Sequence, residues 1–85
     1  MRTEEEVLKD FEKLGYKVDS NDDEMLVLVL SYKVDSLEIV IDKKCRIYTN
    51  RYTGKSFGIP VTTNMIEHQL LNELFNLWGW INEEH

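Results

Sequence analysis

The chain contains few of the residues that mark several large classes of protein. Its 85 residues include one cysteine, Cys45, one proline and four glycines. A single cysteine excludes an internal disulfide bond and a zinc site built from several cysteines, and it favours the reducing cytoplasm as the compartment. The longest apolar run, residues 25–30, is far shorter than the roughly 20 residues that a membrane-spanning helix needs. The acidic start, Met1 to Glu6, lacks the apolar segment of a signal peptide.

Charge is present in quantity and is unevenly distributed. The formal net charge is −6, yet residues 43–66 carry only basic charges. The overall acidity argues against a protein that coats nucleic acid or an anionic membrane with its whole surface. It leaves one basic segment to consider and an acidic remainder that could meet a basic protein surface. The length predicts a single domain over residues 1–85.

Two segments have the apolar spacing of amphipathic helices. In the first, residues 3–14, Thr3 and Glu6 form a capping-box pattern, and Gly15 can take the left-handed conformation that ends many helices. The second covers residues 65–78. We expect both segments to pack their apolar stripes against a common core.

The ends of the second helix carry the same kinds of signal as those of the first. At its start Asn64 and Glu67 repeat the capping-box pattern, or Thr63 caps the helix one residue earlier. Gly79 can end or bend the helix, so that Trp80 and Ile81 pack back against it.

Three segments between the helices predict β-strands, namely residues 25–33, 37–42 and 45–52. Residues 19–24 form a polar turn, and Lys43-Lys44 predicts a two-residue connection between the last two strands. We expect Cys45 to point into the apolar face of the sheet with Ile47, on the face opposite Tyr48. The predicted fold is α+β, in the order αβββα, with a three-stranded antiparallel meander and two helices packed on one face.

Two segments resemble parts of known proteins. Residues 5–16, Glu-Glu-Val-Leu-Lys-Asp-Phe-Glu-Lys-Leu-Gly-Tyr, open the chain with a helix that ends at Gly-Tyr. The last helix, which starts at Thr63-Asn-Met-Ile and closes with Leu77-Trp-Gly-Trp-Ile, has a similar ending. Both segments resemble the beginnings and endings of many small uncharacterised proteins encoded by phages and prophages of Gram-positive bacteria. The resemblance implies a phage or mobile-element context and assigns no site residues.

Two short motifs approach known chemistry without completing it. Residues 54–56, Gly-Lys-Ser, match the end of a phosphate-binding loop, but Thr49 stands where that loop requires a further glycine. Residues 19–23 match the first half of a calcium loop, but Glu24 takes the place of its glycine and Leu30 that of its bidentate glutamate. Cys45 is expected to be buried and therefore inert. We accordingly expect no catalytic residues, no cofactor and no metal site.

The first predicted strand is apolar on both of its faces. Leu26, Leu28 and Leu30 occupy one face, while Met25, Val27 and Val29 occupy the other, which Val40 of the next strand joins. A sheet covered by helices on one side should be polar on the other, and exposed apolar side chains weaken a small domain. Either residues 54–61 or 80–81 fold across this second face, or a protein partner or a second copy covers it.

The third predicted strand combines basic and aromatic residues, a pattern that can hold single-stranded nucleic acid. The candidate residues are Arg46, Tyr48, Arg51, Tyr52 and Lys55. The alternative is an edge strand kept soluble by its charges. We therefore expect a non-enzymatic protein-binding module, acting as a homodimer or on a host protein as a phage accessory factor. Its interface would comprise Met25, Val27, Val29 and Val40, and binding of single-stranded nucleic acid is the alternative function.

Overall fold

The computed structural model describes residues 2–32, 35–54 and 65–80. In this part of the chain the elements are α1 (Glu4–Lys13), β1 (Lys17–Asn21), β2 (Met25–Tyr32), β3 (Asp35–Asp42), β4 (Ile47–Thr53) and α2 (Met65–Leu77). The strands form one antiparallel sheet in the order β1-β2-β3-β4. The predicted α+β class is confirmed, but the predicted number of strands is wrong, because the sheet has four.

The additional strand is β1, which lies in part within the segment predicted to be a polar turn. It pairs with β2, with Val18 opposite Leu28 and Asn21 opposite Leu26, and the register shifts between Val18 and Ser20. All of its residues are exposed. The strand is therefore held by backbone hydrogen bonds at the edge of the sheet and buries no side chain. This explains why its sequence shows no apolar alternation.

Helix α1 has both of the predicted end signals. The Thr3 hydroxyl accepts a hydrogen bond from the backbone N–H of Glu6 at 3.2 Å, and the Glu6 carboxylate accepts one from the backbone N–H of Thr3. At the other end, the N–H of Tyr16 donates to the carbonyl of Phe11, and Gly15 has a φ of 102°. This is a Schellman motif, in which a left-handed glycine returns the chain over the last turn.

Helix α2 ends in the same way. The N–H of Trp80 donates to the carbonyl of Phe75, the N–H of Gly79 donates to that of Asn76, and Gly79 has a φ of 73°. The ring of Trp80 stacks on that of Phe75, with 4.3 Å between centroids. The prediction that Gly79 ends the helix and that Trp80 packs back is thus confirmed. The predicted cap Asn64 and the tail residue Ile81 lie outside the described residues.

The core lies between the two helices and one face of the sheet, which we call the inner face. That face contributes buried side chains from β2 and β3, namely Leu26, Leu28, Ile39 and Ile41. The helices contribute Val7, Phe11, Leu70, Leu71 and Leu74. Both helices therefore pack on the same side of the sheet, as predicted. No helix within the described ranges is long and apolar enough to cross a membrane.

Among the described residues, a single charged side chain is buried in this core. Glu67 in the first turn of α2 is only 8% exposed, and its Oε1 accepts a hydrogen bond from the Tyr16 hydroxyl at 3.0 Å. Its neighbour Ile66, although apolar, is 56% exposed. The buried stripe instead runs through Glu67, Leu70, Leu71 and Leu74. A buried carboxylate needs such a hydrogen-bond donor, and Tyr16 supplies it from beyond the end of α1.

Candidate functional site

The face of the sheet that turns away from both helices is called the outer face. Side chains alternate along a strand, so this face carries the residues between those of the inner face. The register places on it Lys17, Ser20, Met25, Val27, Val29, Glu38, Val40, Asp42, Ile47, Thr49 and Arg51. The centre of the sheet is thus apolar on both sides, which is unusual for an antiparallel sheet with helices on one face only.

The apolar patch of the outer face consists of Met25, Val27, Val29, Val40 and Ile47. Val27 lies directly opposite Val40 in the register of β2 and β3, so their side chains are neighbours across the two central strands. The four predicted interface residues, Met25, Val27, Val29 and Val40, are half-buried. Of the two segments expected as internal covers, residues 55–61 and residue 81 lie outside the described residues, and Trp80 stacks on Phe75 of α2. Ile47 is 60% exposed. The structure therefore brings the predicted residues together and adds a fifth.

Ile47 was predicted to point inward, and its outward position is a correction. In an antiparallel pair, residues directly opposite each other share a face. Ile47 is opposite Asp42, which faces outward, whereas Tyr48 is opposite the buried Ile41. Alternation along β4 separates Ile47 from Tyr48, but only the pairing of Ile47 with Asp42 shows which of the two faces outward.

Charged residues lie beside the apolar patch. Glu38 is opposite Val29 on one side and Arg51 on the other, and the register continues across β2 to Lys17. The Nε of Arg51 is 3.8 Å from Oε2 of Glu38. These residues form a short row of alternating charge along one border of the patch, of the kind found at the rims of protein interfaces.

The turn from β3 to β4 is longer than the predicted two residues. It spans Lys43, Lys44, Cys45 and Arg46, and Arg46 takes a left-handed φ of 58°. The carboxylate of Asp42 accepts hydrogen bonds from the backbone N–H of Cys45 at 2.9 Å and of Lys44 at 3.0 Å. These two donors, that of Cys45 foremost, hold the pKa of Asp42 below its usual range.

Cys45 is exposed in this turn, which overturns the prediction that it is buried in the sheet. The predicted strand began two residues too early, since the side chain of Asp42 stabilises a four-residue turn in place of a tight hairpin. Among the described residues no three His, Cys, Asp or Glu side chains are grouped so that they could hold a metal ion.

The residues predicted to bind nucleic acid do not form one exposed surface. Tyr48 and Tyr52 are half-buried on the inner face, and the ring of Tyr48 lies 5.4 Å from that of Phe75. Arg51 lies on the outer face, and Arg46 lies in the turn. Lys55 is outside the described residues. Because both tyrosines lie on the inner face and Arg51 lies on the outer face, they do not present stacking surfaces together with Arg51.

The first lysine of the basic segment is engaged in contacts within the protein. The Nζ of Lys43 lies 2.8 Å from Oδ1 of Asn21, 2.6 Å from the carbonyl oxygen of Asp22 and 3.7 Å from Oε1 of Glu4. It also lies 5.0 Å from the ring centroid of Trp78. Lys43 therefore joins the β1–β2 turn to one end of each helix.

Comparison with models of known protein families, with curated proteins and with solved structures finds no significant match.

Proposed function

We propose that this chain is a non-enzymatic protein-binding module whose binding surface is the outer face of its sheet. The observation that carries the proposal is the apolar patch of Met25, Val27, Val29, Val40 and Ile47, on the side of the sheet away from both described helices. Removing apolar surface of this kind from water lowers the free energy, so its burial by a partner favours association. The Glu38–Arg51 pair beside the patch supplies polar contacts at its border.

The resemblance of the two helices to phage and prophage proteins supports a role as a phage accessory protein. The single cysteine supports a cytoplasmic location. Binding of single-stranded nucleic acid is the less favoured function. The two tyrosines that would stack on bases, Tyr48 and Tyr52, are half-buried on the inner face, away from Arg51.

Lysines introduced into the patch test the proposal. The test variant is tagged chain that carries both Val27→Lys and Val29→Lys, and it is compared with tagged wild type. The measurement is the amount of each protein that the tagged chain retains. Two sources are used, namely a lysate of a Gram-positive bacterium and cells that also express the untagged chain. The matched control is Asn72→Lys with Asn76→Lys, which adds the same charge to exposed positions of α2. We expect the patch variant to lose its bound proteins at least about tenfold, because a charge would have to be buried at the interface.

Circular dichroism establishes that each variant is folded before the comparison is made. A folded patch variant that retains the same proteins in the same amounts as wild type and control would contradict the proposal.

A further inference from the structure

The outer face is close to neutral, in a chain with a formal net charge of −6. The register places Lys17 and Arg51 on it as cations, and Glu38 and Asp42 as anions. The excess of negative charge therefore lies on other surfaces, such as the first turn of α1 with its row of glutamates. A strongly basic protein would be attracted to those surfaces. Two outer faces, by contrast, can approach each other without strong repulsion between their own charges.

We propose that the occupant of the outer face is a second copy of this chain, packed face to face about a two-fold axis. The proposal rests on the protein-binding function proposed above and names its partner. A two-fold interface brings the same patch of both copies together, so the patch must be complementary to itself. The inward–outward alternation and the β-branched residues of the patch suit the packing of one sheet on another, about 10 Å apart.

The register favours one orientation of the axis. One possible axis lies in the plane of the interface and runs perpendicular to the strands. It passes between the row of Val27 and Val40 and the row of Val29 and Glu38. This axis sets Val27 of one copy over Val29 of the other. It also sets Val40 over Glu38, and among the four charged residues that the register places on the face no two of like sign then lie over each other. An axis parallel to the strands, between β2 and β3, would instead set Lys17 over Arg51. The crossing axis avoids that repulsion.

The size of the face sets the strength of the dimer that we expect. Four strands spaced about 4.8 Å apart, each about seven residues long at about 3.3 Å per residue, give a flat area of roughly 400 Å² per copy. Stable complexes bury roughly 800 Å² per partner. We therefore expect a dimer that dissociates in the micromolar range.

Sedimentation equilibrium of the purified chain, from about 5 to about 500 µM, tests this proposal. The informative variant is Val27→Thr, which keeps the β-branched shape and so the fold, but places a hydroxyl in the interface. Val18→Thr is the matched control, since Val18 lies in β1 on the side of Leu28, away from the outer face. We expect a concentration-dependent dimer in wild type and in the control. In Val27→Thr the dissociation constant should rise at least about tenfold, because each substitution occurs twice in a two-fold interface.

A wild-type chain that stays monomeric throughout this range overturns the proposal, as does a dimer that Val27→Thr leaves unchanged. The two proposals can fail separately. If wild type is monomeric but the lysine variant still loses its bound proteins, the protein-binding function stands and the partner is another protein. If a dimer forms and neither Val27→Thr nor the lysine variant has any effect, the outer face is not a binding surface, and both proposals are wrong.

Discussion

Lys43 and Lys44 are adjacent in the sequence, yet the fold places them in different surroundings. The side chain of Lys43 is 16% exposed and its Nζ contacts the β1–β2 turn, Glu4 and the ring of Trp78. The side chain of Lys44 is 67% exposed, and its Nζ lies 3.2 Å from Oε1 of Glu24. An exposed ion pair such as that of Lys44 contributes little to the free energy of unfolding. Hydrogen bonds from a half-buried ammonium group such as that of Lys43 contribute more.

The two lysines form a matched pair for mutation. Lys43→Met keeps the aliphatic chain and removes the ammonium group, so we expect it to lower the free energy of unfolding by about 1–2 kcal/mol. Lys44→Met should change it by less than about 0.5 kcal/mol. Urea denaturation, followed by the fluorescence of Trp78 and Trp80, measures both. Equal effects would show that the contacts of Lys43 do not stabilise the fold.

Glu67 shows what a local pattern cannot predict about a single residue. Its position three residues after Asn64 predicts a helix cap, but its carboxylate is buried and accepts a hydrogen bond from Tyr16. The two residues are 51 positions apart in the sequence. Only the packing of α2 against the segment after α1 brings them together.

At the level of elements, both helices end with the same six-residue pattern, a phenylalanine followed four residues later by glycine and then by an aromatic residue. In α1 these residues are Phe11, Gly15 and Tyr16, and in α2 they are Phe75, Gly79 and Trp80. Each aromatic residue after the glycine packs on the phenylalanine, edge-on in α1 and stacked in α2. The pattern therefore specifies both the end of the helix and the contact that covers it.

The two glycines have different surroundings, and this predicts different costs of mutation. A Cβ on Gly15 would lie 2.8 Å from Cδ1 of Leu30, whereas a Cβ on Gly79 would meet no atom of the described residues within 4 Å. Both glycines have a positive φ. We expect Gly79→Ala to cost about 1 kcal/mol from the backbone conformation alone, and Gly15→Ala to cost about 2 kcal/mol or more. Thermal unfolding of both variants measures the difference, and equal costs would show that Leu30 moves aside freely.

The faces of β4 illustrate how much of an element could be predicted. The division of its residues between two faces follows from alternation and is confirmed for Ile47 and Thr49 against Tyr48 and Tyr52. Which division faces the core depends on the partner strand. Tyr48 is half-buried because it is opposite Ile41. The sequence-based prediction assigned Tyr48 and Tyr52 to the solvent-exposed face, and this assignment was wrong.

At the scale of the whole molecule, several carboxylates stabilise the fold through local hydrogen bonds and ion pairs. A hydrogen bond from Arg2 lowers the pKa of Asp10, and Arg2 also bonds Glu73 of α2. The backbone N–H groups of Met25 and Glu24 lower the pKa of Asp22. Backbone N–H groups of the turn that follows Asp42 lower the pKa of Asp42 in the same way. An acidic chain thus keeps these carboxylates ionised in the folded state.

These shifts predict how stability depends on pH. A carboxyl group whose pKa is lower in the folded than in the unfolded state stabilises the fold above its unfolded pKa of about 4. That contribution is lost as the pH falls through the lower, folded pKa. We therefore expect the free energy of unfolding to change little from pH 7 to pH 5 and to fall below about pH 4. Urea denaturation at a series of pH values measures this.

Asp42→Asn is the informative variant, because its amide oxygen can still accept both backbone N–H groups but does not titrate. The difference in stability between wild type and this variant should narrow as the pH falls below about 4. Parallel curves would show that Asp42 makes no contribution to the pH dependence.

Both helices, the start of α1 and the C-terminal ends of both were predictable from the sequence because their signals are local. Apolar spacing, the Thr3–Glu6 capping box and the two terminal glycines all act within a few residues of one another. The apolar second face of β2 was visible for the same reason, since alternation along one strand needs no knowledge of its neighbours. The candidate site was predicted from this apolar second face.

The strand β1, the inward face of β4 and the burial of Glu67 were decided by the tertiary structure. Each depends on a partner that is distant or offset in the sequence: β2 for β1, Ile41 for Tyr48, and Tyr16 for Glu67. An edge strand that buries nothing leaves no apolar pattern, and the direction of a face is defined only when a second strand pairs with it. Local signals specify an element, whereas its neighbours specify which of its sides is buried.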